Sequence, residues 1–497
     1  MNRQIQRVTV LVIVMFLMLS ASLTSVQGLA RPALWEASSP LGTLTTDTRN
    51  LRTTYAEYGT HRGQIMVGDT TIAESQPSND NYAFQRVYPN GPLYAPITGY
   101  FSTAFSSRTG MELAGNSVLN GQDPSLFSSR IQALFTGETP QGGSLELTIN
   151  PTIQQAAWNA LDGRAGSVVV LNPSTGAILA MVSSPSYDPN QLATHDAAMA
   201  QQAASALEND PNKPLSNRAI AGDLYPPGST FKILTLAAAL RQGKINTSTE
   251  VAAPDTLTLP GTNHALTNYD GEKCGNGTVT VAFAFAESCN TPFAQMGMDV
   301  GDKDLAQEAK TWGFETTMSV PMRVTPSVFP ANDSQAQTAM AAIGQASVRT
   351  TPLMMAMVAA TIANDGEQMT PYLVNQTLDP DLNVVSTTTP TVARTPIDED
   401  TAQQLTEVMT GVVSQGTGKT AQVAGVSVAG KTGTAETGSK DGGPTTWFVG
   451  FAGVDIENPS VALAVVVDGG SQTTTGGTGG SVAGPIAAQV IDAAVDQ

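Results

Sequence analysis

The chain has 497 residues, more than one ordinary domain accommodates, so we expect at least two folded domains. Acidic residues outnumber basic residues by 42 to 24. The resulting net charge of −18 repels phosphate backbones, so no nucleic acid is expected as a partner. The 3 histidines and 2 cysteines have no metal-binding spacing, which predicts no metal site and no cofactor and leaves few candidates for a Ser-His-Asp triad.

The N-terminus has the pattern of a membrane anchor. Arg3 and Arg7 precede an uncharged stretch at residues 8–30, which is long enough to span a bilayer, and the arginines predict that the N-terminus lies inside. The alternative is a cleaved signal peptide that ends at residues 28–30. We favour the anchor because the stretch is longer than a usual signal-peptide core. Both interpretations place the chain after Arg31 outside the cytoplasm, and the anchor would hold it at the cell membrane by a single pass.

Composition divides the rest of the chain into two parts. Short strand-like runs broken by turns fill residues 31–144, and the glycine-containing polar stretch at 137–144 predicts a linker. The predicted organisation is therefore a cytoplasmic tail (1–7), a transmembrane anchor (8–30), a smaller strand-rich domain (31–144) and a larger domain (145–497).

The larger domain carries strand patterns at both ends and helical patterns rich in Ala, Leu and Met between them. This order predicts an α/β fold in which the terminal strands share one sheet and the helices pack beside it. The predicted strands are residues 167–171, 177–182, 426–429, 446–451 and 461–467, and the closing helix is residues 485–495.

Ser229 and Lys232 form the first candidate catalytic pair. Residues 226–228 are Pro-Pro-Gly, which ends whatever precedes them and places Ser229 at or near the start of an apolar helix. Lys232 lies one turn further on the same face, and a lysine can serve as the base for a serine if its pKa falls toward neutrality. Burial and a second ammonium group would both lower that pKa. Alone, such a tetrapeptide is more often a capping serine followed by a surface lysine.

Two further motifs strengthen this interpretation. Ser288-Cys289-Asn290 follows a helical apolar stretch, and Lys431-Thr432-Gly433-Thr434 follows a predicted strand. Gly433 on a strand permits close approach of a ligand, while the lysine and the threonines supply charge and hydroxyl groups. Lys419-Thr420-Ala421 lacks the glycine and precedes no clear strand, so we discard it as a candidate.

The order Ser-x-x-Lys, Ser-x-Asn, Lys-Thr-Gly resembles the penicillin-binding protein and serine β-lactamase superfamily. This resemblance implies a transpeptidase domain with an antiparallel sheet flanked by helices. Residues 168–181, 184–190, 344–345 and 351–353 extend it. Arg62-Gly63-Gln64-Ile65, Arg86-Val87-Tyr88-Pro89, Thr98-Gly99-Tyr100 and Gly110-Met111-Glu112 resemble the non-catalytic pedestal, or dimerisation-like domain, of class B penicillin-binding proteins.

The compact pedestal and the Ser-Cys-Asn variant are most similar to actinobacterial members of that class. The chain departs from the family at residues 66–69, where Met-Val-Gly-Asp replaces the usual Asp-Arg-x-Gly. That family motif is structural, so the departure does not threaten catalysis.

The resemblance implies a catalytic set of Ser229, Lys232, Ser288 and Lys431. Ser229 would attack the carbonyl between two D-alanines of a peptidoglycan stem peptide, and Lys232 would take its proton. Ser288 would relay a proton to the departing D-alanine, and Lys431 would lower the pKa of Lys232 by like-charge proximity. An amine of a second stem peptide would then resolve the acyl-enzyme and form the cross-link.

The implied substrate-binding residues are Asn290, Thr432, Gly433 and Thr434. Asn290 would hold the amide of the donor peptide, and the two threonines would bind its terminal carboxylate. The implied partners are D-Ala-D-Ala stem peptides, β-lactams that mimic them, the cell membrane, and division or elongation proteins that include a glycosyltransferase.

Cys274 and Cys289 would both face an oxidising compartment, and their number is even. We therefore predict a disulfide between them. The alternative is two buried free thiols.

Other functions use the same motifs. A β-lactamase or a D,D-carboxypeptidase would transfer the acyl group to water, but neither needs an anchor and a domain at residues 31–144. A β-lactam sensor would carry a larger membrane domain. A division scaffold without enzymatic activity is the alternative from a different class, and the intact motifs argue against it as the sole role.

Overall fold

The computed structural model describes residues 12–20, 58–137, 141–331, 334–436, 443–469 and 477–495. Residues 12–20 form a helix with exposed side chains, while the rest of the predicted anchor, the tail at 1–7 and residues 31–57 lie outside the described residues. Across the described ranges no helix is both long and apolar enough to cross a membrane. The chain forms two compact units, one of residues 1–60 and 78–84 and one of residues 61–77 and 85–497.

The strands of the described residues are numbered β1 to β21 in chain order. Their bounds are Ile65–Val67, Thr70–Pro77, Phe84–Val87, Phe101–Ser102, Ser107–Arg108, Ser144–Leu147, Gly166–Leu171, Ile178–Ser184, Glu250–Ala253, Thr256–Thr258, Ala265–Thr267, Gly277–Thr280, Met318–Ser319, Arg323–Val324, Gln368–Met369, Val374–Leu378, Val384–Thr387, Val392–Arg394, Ser427–Ala435, Thr445–Gly453 and Val461–Val467.

The second unit also contains helices, which alternate with the strands along the sequence. Their bounds are Gly91–Thr98, Gly110–Ala114, Asn116–Leu119, Phe127–Thr136, Pro151–Leu161, Asn190–Ala193, Ala197–Glu208, Lys232–Arg241, Val281–Ala286, Asn290–Val300, Asp302–Trp312, Gln335–Ala342, Pro352–Ala363, Glu399–Ser414 and Gly484–Val495. Short 3-10 turns occur at Pro124–Leu126, Gly228–Phe231, Tyr269–Gly271 and Lys419–Ala421, and a π-turn at Gly479–Ala483 precedes the last helix.

A five-stranded antiparallel sheet in the order β19-β20-β21-β7-β8 forms the centre of the second unit. It joins strands from both ends of the larger domain, which confirms the α/β arrangement predicted from the sequence. Both faces are covered, because alternate residues of β21 enter different cores. Ala462, Ala464 and Val466 pack with the helix Pro352–Ala363. Leu463 and Val465 pack with the helices Pro151–Leu161 and Gly484–Val495.

A second sheet, in the order β17-β16-β6-β1-β2-β3, combines distant parts of the chain. β6 pairs in parallel with β1 from the N-terminal region and antiparallel with β16 from the larger domain. The predicted boundary between residues 144 and 145 therefore falls inside β6, a strand with neighbours from both predicted domains.

Four motif residues of the N-terminal region meet in a buried network around one carboxylate. Arg62 Nε donates to Glu112 Oε2 at 2.5 Å, and Arg86 Nε donates to Glu112 Oε1 at 2.6 Å. Tyr88 Oη also donates to Glu112 Oε1, at 3.2 Å. Burial would raise the pKa of Glu112, but the guanidinium groups of Arg86 and Arg62 hold that pKa below its usual range. One structural role is thus common to the Arg-Gly-x-Ile, Arg-x-Tyr and Gly-x-Glu motifs: each supplies a side chain to this buried network.

Candidate active site

Ser229 lies in the 3-10 turn Gly228–Phe231, which leads directly into the buried helix Lys232–Arg241. The sequence predicted Ser229 at or near the start of this helix. In the structure the α-helix begins three residues later, because Ser229 belongs to the tighter turn that precedes it. Gly228 has φ 53° and its N–H donates to Gly344 O at 3.0 Å. A Cβ on Gly344 would lie 2.0 Å from Gly228 O, so a side chain there would displace the turn. Ser229 itself is half-buried.

Lys232 is fully buried and faces the Ser-x-Asn motif. Its Nζ donates to Ser288 O at 2.7 Å and to Asn290 Oδ1 at 2.9 Å, and it lies 3.4 Å from Ser288 Oγ. Burial lowers the pKa of Lys232 well below its usual value, and the nearby Lys431 lowers that pKa further. A neutral amine has two hydrogens, which the two short bonds use, so its lone pair stays available to accept a proton.

Ser288 places its hydroxyl between two amines. Lys431 Nζ donates to Ser288 Oγ at 2.8 Å and to Thr432 O at 3.1 Å. Burial lowers the pKa of Lys431 to about 7, although the carboxylate of Glu287 opposes the shift. Ser288 has φ 58°, in the left-handed region, which directs its carbonyl toward Lys232 and its side chain toward Lys431.

Asn290 begins the helix Asn290–Val300 and is held by a neighbour that the sequence analysis did not single out. Asn268 Oδ1 accepts from the N–H groups of Asn290 at 2.8 Å and of Thr291 at 3.2 Å, while Asn290 Nδ2 donates to Thr267 O at 3.1 Å. Asn268 thus caps this helix from a preceding loop, 22 residues away in sequence. A cap so distant in sequence has no local signal.

A disulfide joins Cys274 to Cys289, which are 15 residues apart, and both cysteines are buried. Cys289 stands between Ser288 and Asn290, so the cross-link ties the Ser-Cys-Asn motif to the loop that precedes β12. This is the pairing that the sequence predicted.

The sequence analysis placed the Lys-Thr-Gly motif after a strand that ends at residue 429. In the structure the motif is itself part of strand β19. A Cβ on Gly433 would lie 2.8 Å from Pro227 O and 2.9 Å from Thr230 Cγ2. The sequence analysis expected a ligand to approach Gly433 closely. In the structure the turn that carries Ser229 lies against this glycine. A Cβ on Gly228 would likewise lie 2.7 Å from Thr434 O, so the turn and the strand meet through backbone atoms.

The two motif threonines of β19 each have a polar neighbour from another segment. Thr432 Oγ1 lies 2.6 Å from Thr417 Oγ1, and Thr434 Oγ1 accepts from the N–H of Gly479 at 3.1 Å. The discarded Lys419 is exposed in a 3-10 turn. Within the described ranges no group of three or more His, Cys, Asp or Glu side chains could hold a metal ion.

The geometry brings all three motifs together around the Ser229 turn. Lys232 reaches Ser288 and Asn290, Lys431 reaches Ser288, and β19 packs on the turn. None of the hydrogen bonds of Lys232 within the described residues goes to Ser229, and catalytic contacts of this kind often tighten only when substrate binds. A buried amine with a lowered pKa, one turn after a half-buried serine, is suited to acyl transfer.

Comparison with known proteins identifies the same chemistry. Residues 166–492 match the penicillin binding protein transpeptidase domain, and residues 62–145 match the penicillin binding protein A dimerisation domain. The peptidoglycan D,D-transpeptidase PbpA of Mycolicibacterium smegmatis is 44% identical over 100% of this chain and 99% of its own. PbpA of Mycobacterium tuberculosis H37Rv is 42% identical, with the same two coverages of 100% and 99%.

Solved structures agree with these sequence matches. The penicillin G acyl-enzyme complex of penicillin-binding protein A from M. tuberculosis has a TM-score of 0.81 and 43% identity, over 88% of this chain and 99% of that one. A crystal structure of the same protein has a TM-score of 0.83 and 42% identity, over 88% and 100%. This chain therefore belongs to the class B penicillin-binding proteins, the family of monofunctional peptidoglycan D,D-transpeptidases.

Proposed function

We propose that Ser229 is the nucleophile of this transpeptidase and that it attacks the carbonyl between the two terminal D-alanines of a stem peptide. The observation that carries this assignment is the state of Lys232. Its amine is fully buried, it donates to two acceptors at 2.7 and 2.9 Å, and burial and the nearby Lys431 lower its pKa. Its lowered pKa suits this amine to act as a base, and it stands one turn after the serine.

In acylation, Lys232 takes the proton of the Ser229 hydroxyl while its oxygen bonds to the carbonyl carbon. The backbone N–H groups of Ser229 and Thr434 stabilise the resulting oxyanion, and each such donor contributes about 3–4 kcal/mol in other enzymes. The contact of Gly228 with Thr434 O supports this role, because it holds the turn and the strand side by side.

In collapse of the tetrahedral intermediate, Ser288 gives its proton to the departing D-alanine amine. Its hydroxyl can recover a proton from Lys431 or Lys232, whose Nζ atoms lie 2.8 and 3.4 Å away. Asn290 presents its amide to the donor peptide, and Thr432 and Thr434 donate to the terminal carboxylate. Gly433 lets the strand lie close to the turn that carries Ser229. An amine from a second stem peptide then attacks the acyl-enzyme and completes the cross-link.

We also propose the cellular setting of this reaction. Penicillin-binding proteins of this family are membrane-anchored. Residues 8–30 would form a single-pass anchor, with residues 31–144 as a pedestal and residues 145–497 as the catalytic domain outside the cytoplasm. The acceptor strands come from a glycosyltransferase, so division or elongation proteins that include such an enzyme are the expected partners.

Intact-mass spectrometry after addition of benzylpenicillin tests this function. We expect a stable adduct on Ser229 that persists for hours, because a transpeptidase protects its acyl-enzyme from water. Ser229→Ala should form none, whereas Ser334→Ala, which loses an exposed helix-capping hydroxyl, should react like the wild type. Labelling of Ser229→Ala at another residue would contradict the assignment. A transient adduct with drug turnover would indicate a hydrolase, and no adduct would favour a scaffold.

A further inference from the structure

Both threonine hydroxyls of β19 contact a hydrogen-bonding group of another segment. Thr434 Oγ1 accepts from the N–H of Gly479, at 3.1 Å, in the π-turn before the last helix. Thr432 Oγ1 lies 2.6 Å from the hydroxyl of Thr417, in the loop after the helix Glu399–Ser414. Neither neighbour belongs to the three motifs.

Thr417 is held in place by the helix that leads into the Ser-Cys-Asn motif. The N–H of Thr417 donates to Ala286 O at 3.2 Å, and a Cβ on Gly416 would lie only 2.1 Å from the same oxygen. The loop therefore lies flush against the helix Val281–Ala286, which ends two residues before Ser288. On its other side Thr417 contacts β19, so one residue connects the second and third motifs.

Counting hydrogens shows what this contact can do. Each hydroxyl has one hydrogen, and only one hydrogen fits between Thr417 and Thr432. Thr434 accepts from an N–H, which leaves its own hydrogen for a ligand. Thr432 has a free hydrogen only if Thr417 is the donor. The Thr417 hydrogen can point to Thr432 Oγ1 at 2.6 Å or to Ala286 O at 3.5 Å, and the shorter distance is the normal one for a hydroxyl donor.

We propose that Thr417 is a positioning residue for carboxylate binding at β19. Its hydroxyl donates to Thr432 and so directs the Thr432 hydrogen toward the carboxylate of the bound peptide or β-lactam. A hydroxyl that accepts one hydrogen bond is polarised and donates a stronger one, and bonds to a charged acceptor gain most. The proposal rests on the proposed function, which assigns the carboxylate to Thr432 and Thr434.

The test compares two probes that differ only in the charge of this group, benzylpenicillin and its methyl ester. Second-order acylation rate constants are measured by intact mass for the wild type, Thr417→Val, Thr417→Ser, Thr432→Val and the Thr417→Val/Thr432→Val double variant. Thr417→Val should lower the rate constant for the acid by about fivefold to tenfold, the usual effect of one hydrogen bond. The rate constant for the ester should change by less than about twofold. Thr417→Ser, which keeps the hydroxyl, should retain the acid-to-ester ratio of the wild type.

The double variant tests the route of the effect. If Thr417 acts through Thr432, the double variant should be no slower than Thr432→Val alone. Ser414→Ala is the matched control, since it removes an exposed hydroxyl at the end of the helix that leads into the same loop. It should keep the wild-type ratio. Thermal midpoints of all variants show whether any effect is a loss of folding.

Several outcomes would overturn the proposal. An equal loss for acid and ester in Thr417→Val would mean that Thr417 only supports the loop, as would additive effects in the double variant or failure of Thr417→Ser to restore the ratio. In each of these cases an adduct on Ser229 of the wild type leaves the proposed function standing. Absence of that adduct would remove the proposed function and this inference together.

Discussion

Lys232 and Lys431 place two buried amines around one hydroxyl, that of Ser288. Burial lowers the pKa of both amines, and the nearby Lys431 lowers the pKa of Lys232 further. Groups coupled in this way titrate as a pair. The lowered pKa values suit the proposed roles, in which Lys232 acts as the base and Ser288 passes on a proton.

Lys431→Gln should move the acid limb of the pH profile for acylation to higher pH. A second ammonium lowers the pKa of Lys232, so removing it raises that pKa, and the base then stays protonated up to a higher pH. We expect a shift of about one pH unit. The measurement is the second-order acylation rate constant of benzylpenicillin across mildly acidic to mildly basic buffers.

Lys419→Gln serves as the control for this titration, because Lys419 is exposed on a neighbouring loop. Its acid limb should coincide with that of the wild type. A limb that moves to lower pH in Lys431→Gln, or does not move, would show that Lys431 does not set the pKa of Lys232.

Asn268 offers a prediction about orientation. Asn268→Leu leaves the N–H groups of Asn290 and Thr291 without their acceptor, so acylation should slow by about tenfold and unfolding should cost about 1–2 kcal/mol less. Asn268→Asp keeps an acceptor that suits a helix N-terminus and should retain most of the activity. Acylation rates and urea unfolding of both variants are the measurements. Equal activity in the two variants would contradict a positioning role.

Among the elements, strand β21 could be predicted to its bounds and β19 could not. Residues 461–467 are an unbroken apolar run, which suits a strand buried on both faces, and the structure has the same bounds. β19 extends from Ser427 to Ala435, beyond the predicted end at residue 429. The second half of this strand is not an apolar run, because it contains Lys431, Thr432 and Gly433. Pairing with β20 and packing on the Ser229 turn hold these residues extended.

The six-stranded sheet could not be predicted, because its pairings depend on distant partners. Leu147 pairs with Val67 on one side and with Val374 on the other. Nothing near β6 in the sequence specifies either partner. The same reason hides Asn268 and Thr417, which reach the motifs from loops. The three motifs themselves could be predicted because each is a local arrangement of reactive side chains.

The disulfide should stabilise the loop between β11 and the Ser-Cys-Asn motif. Closing a loop of 15 residues contributes about 3 kcal/mol in the chain-entropy account. Cys274→Ala/Cys289→Ala should therefore lower the free energy of unfolding by about that amount and slow acylation, because Cys289 adjoins Ser288 and Asn290. Urea unfolding and acylation rates are the measurements. The wild type treated with a reductant is the control, and unchanged stability in both samples would contradict the prediction.

In the molecule as a whole, the five-stranded sheet is stabilised by buried apolar side chains, whereas the N-terminal motifs are stabilised by buried charges. The five-stranded sheet is stabilised by two apolar cores, one on each face. The N-terminal region instead buries Glu112 between Arg62 and Arg86. A carboxylate is tolerated in such a buried place only while both guanidinium groups contact it. Removal of the Glu112 carboxylate would leave two buried arginine charges without a partner.

Glu112→Gln should lower the free energy of unfolding by about 3–5 kcal/mol, the usual cost of breaking a buried ion pair. It should also reduce sensitivity to acid. The pKa of Glu112 is lowered in the folded state, so its contribution is complete above the ordinary glutamate range and is lost as pH falls through the folded pKa. Thermal midpoints across acidic to neutral pH measure both effects. Glu457→Gln, at an exposed position, is the control, and an acid slope in Glu112→Gln as steep as the wild type would contradict the prediction.

The backbone contacts between the Ser229 turn and β19 also bear on how drug resistance could evolve. Gly228, Gly344 and Gly433 each lie within 2.8 Å, measured from a built Cβ, of a backbone oxygen on the neighbouring segment. A bacterium selected by a β-lactam could not replace these glycines without moving Ser229, the proposed nucleophile. We therefore expect resistant lineages to keep all three glycines and to accumulate their substitutions elsewhere.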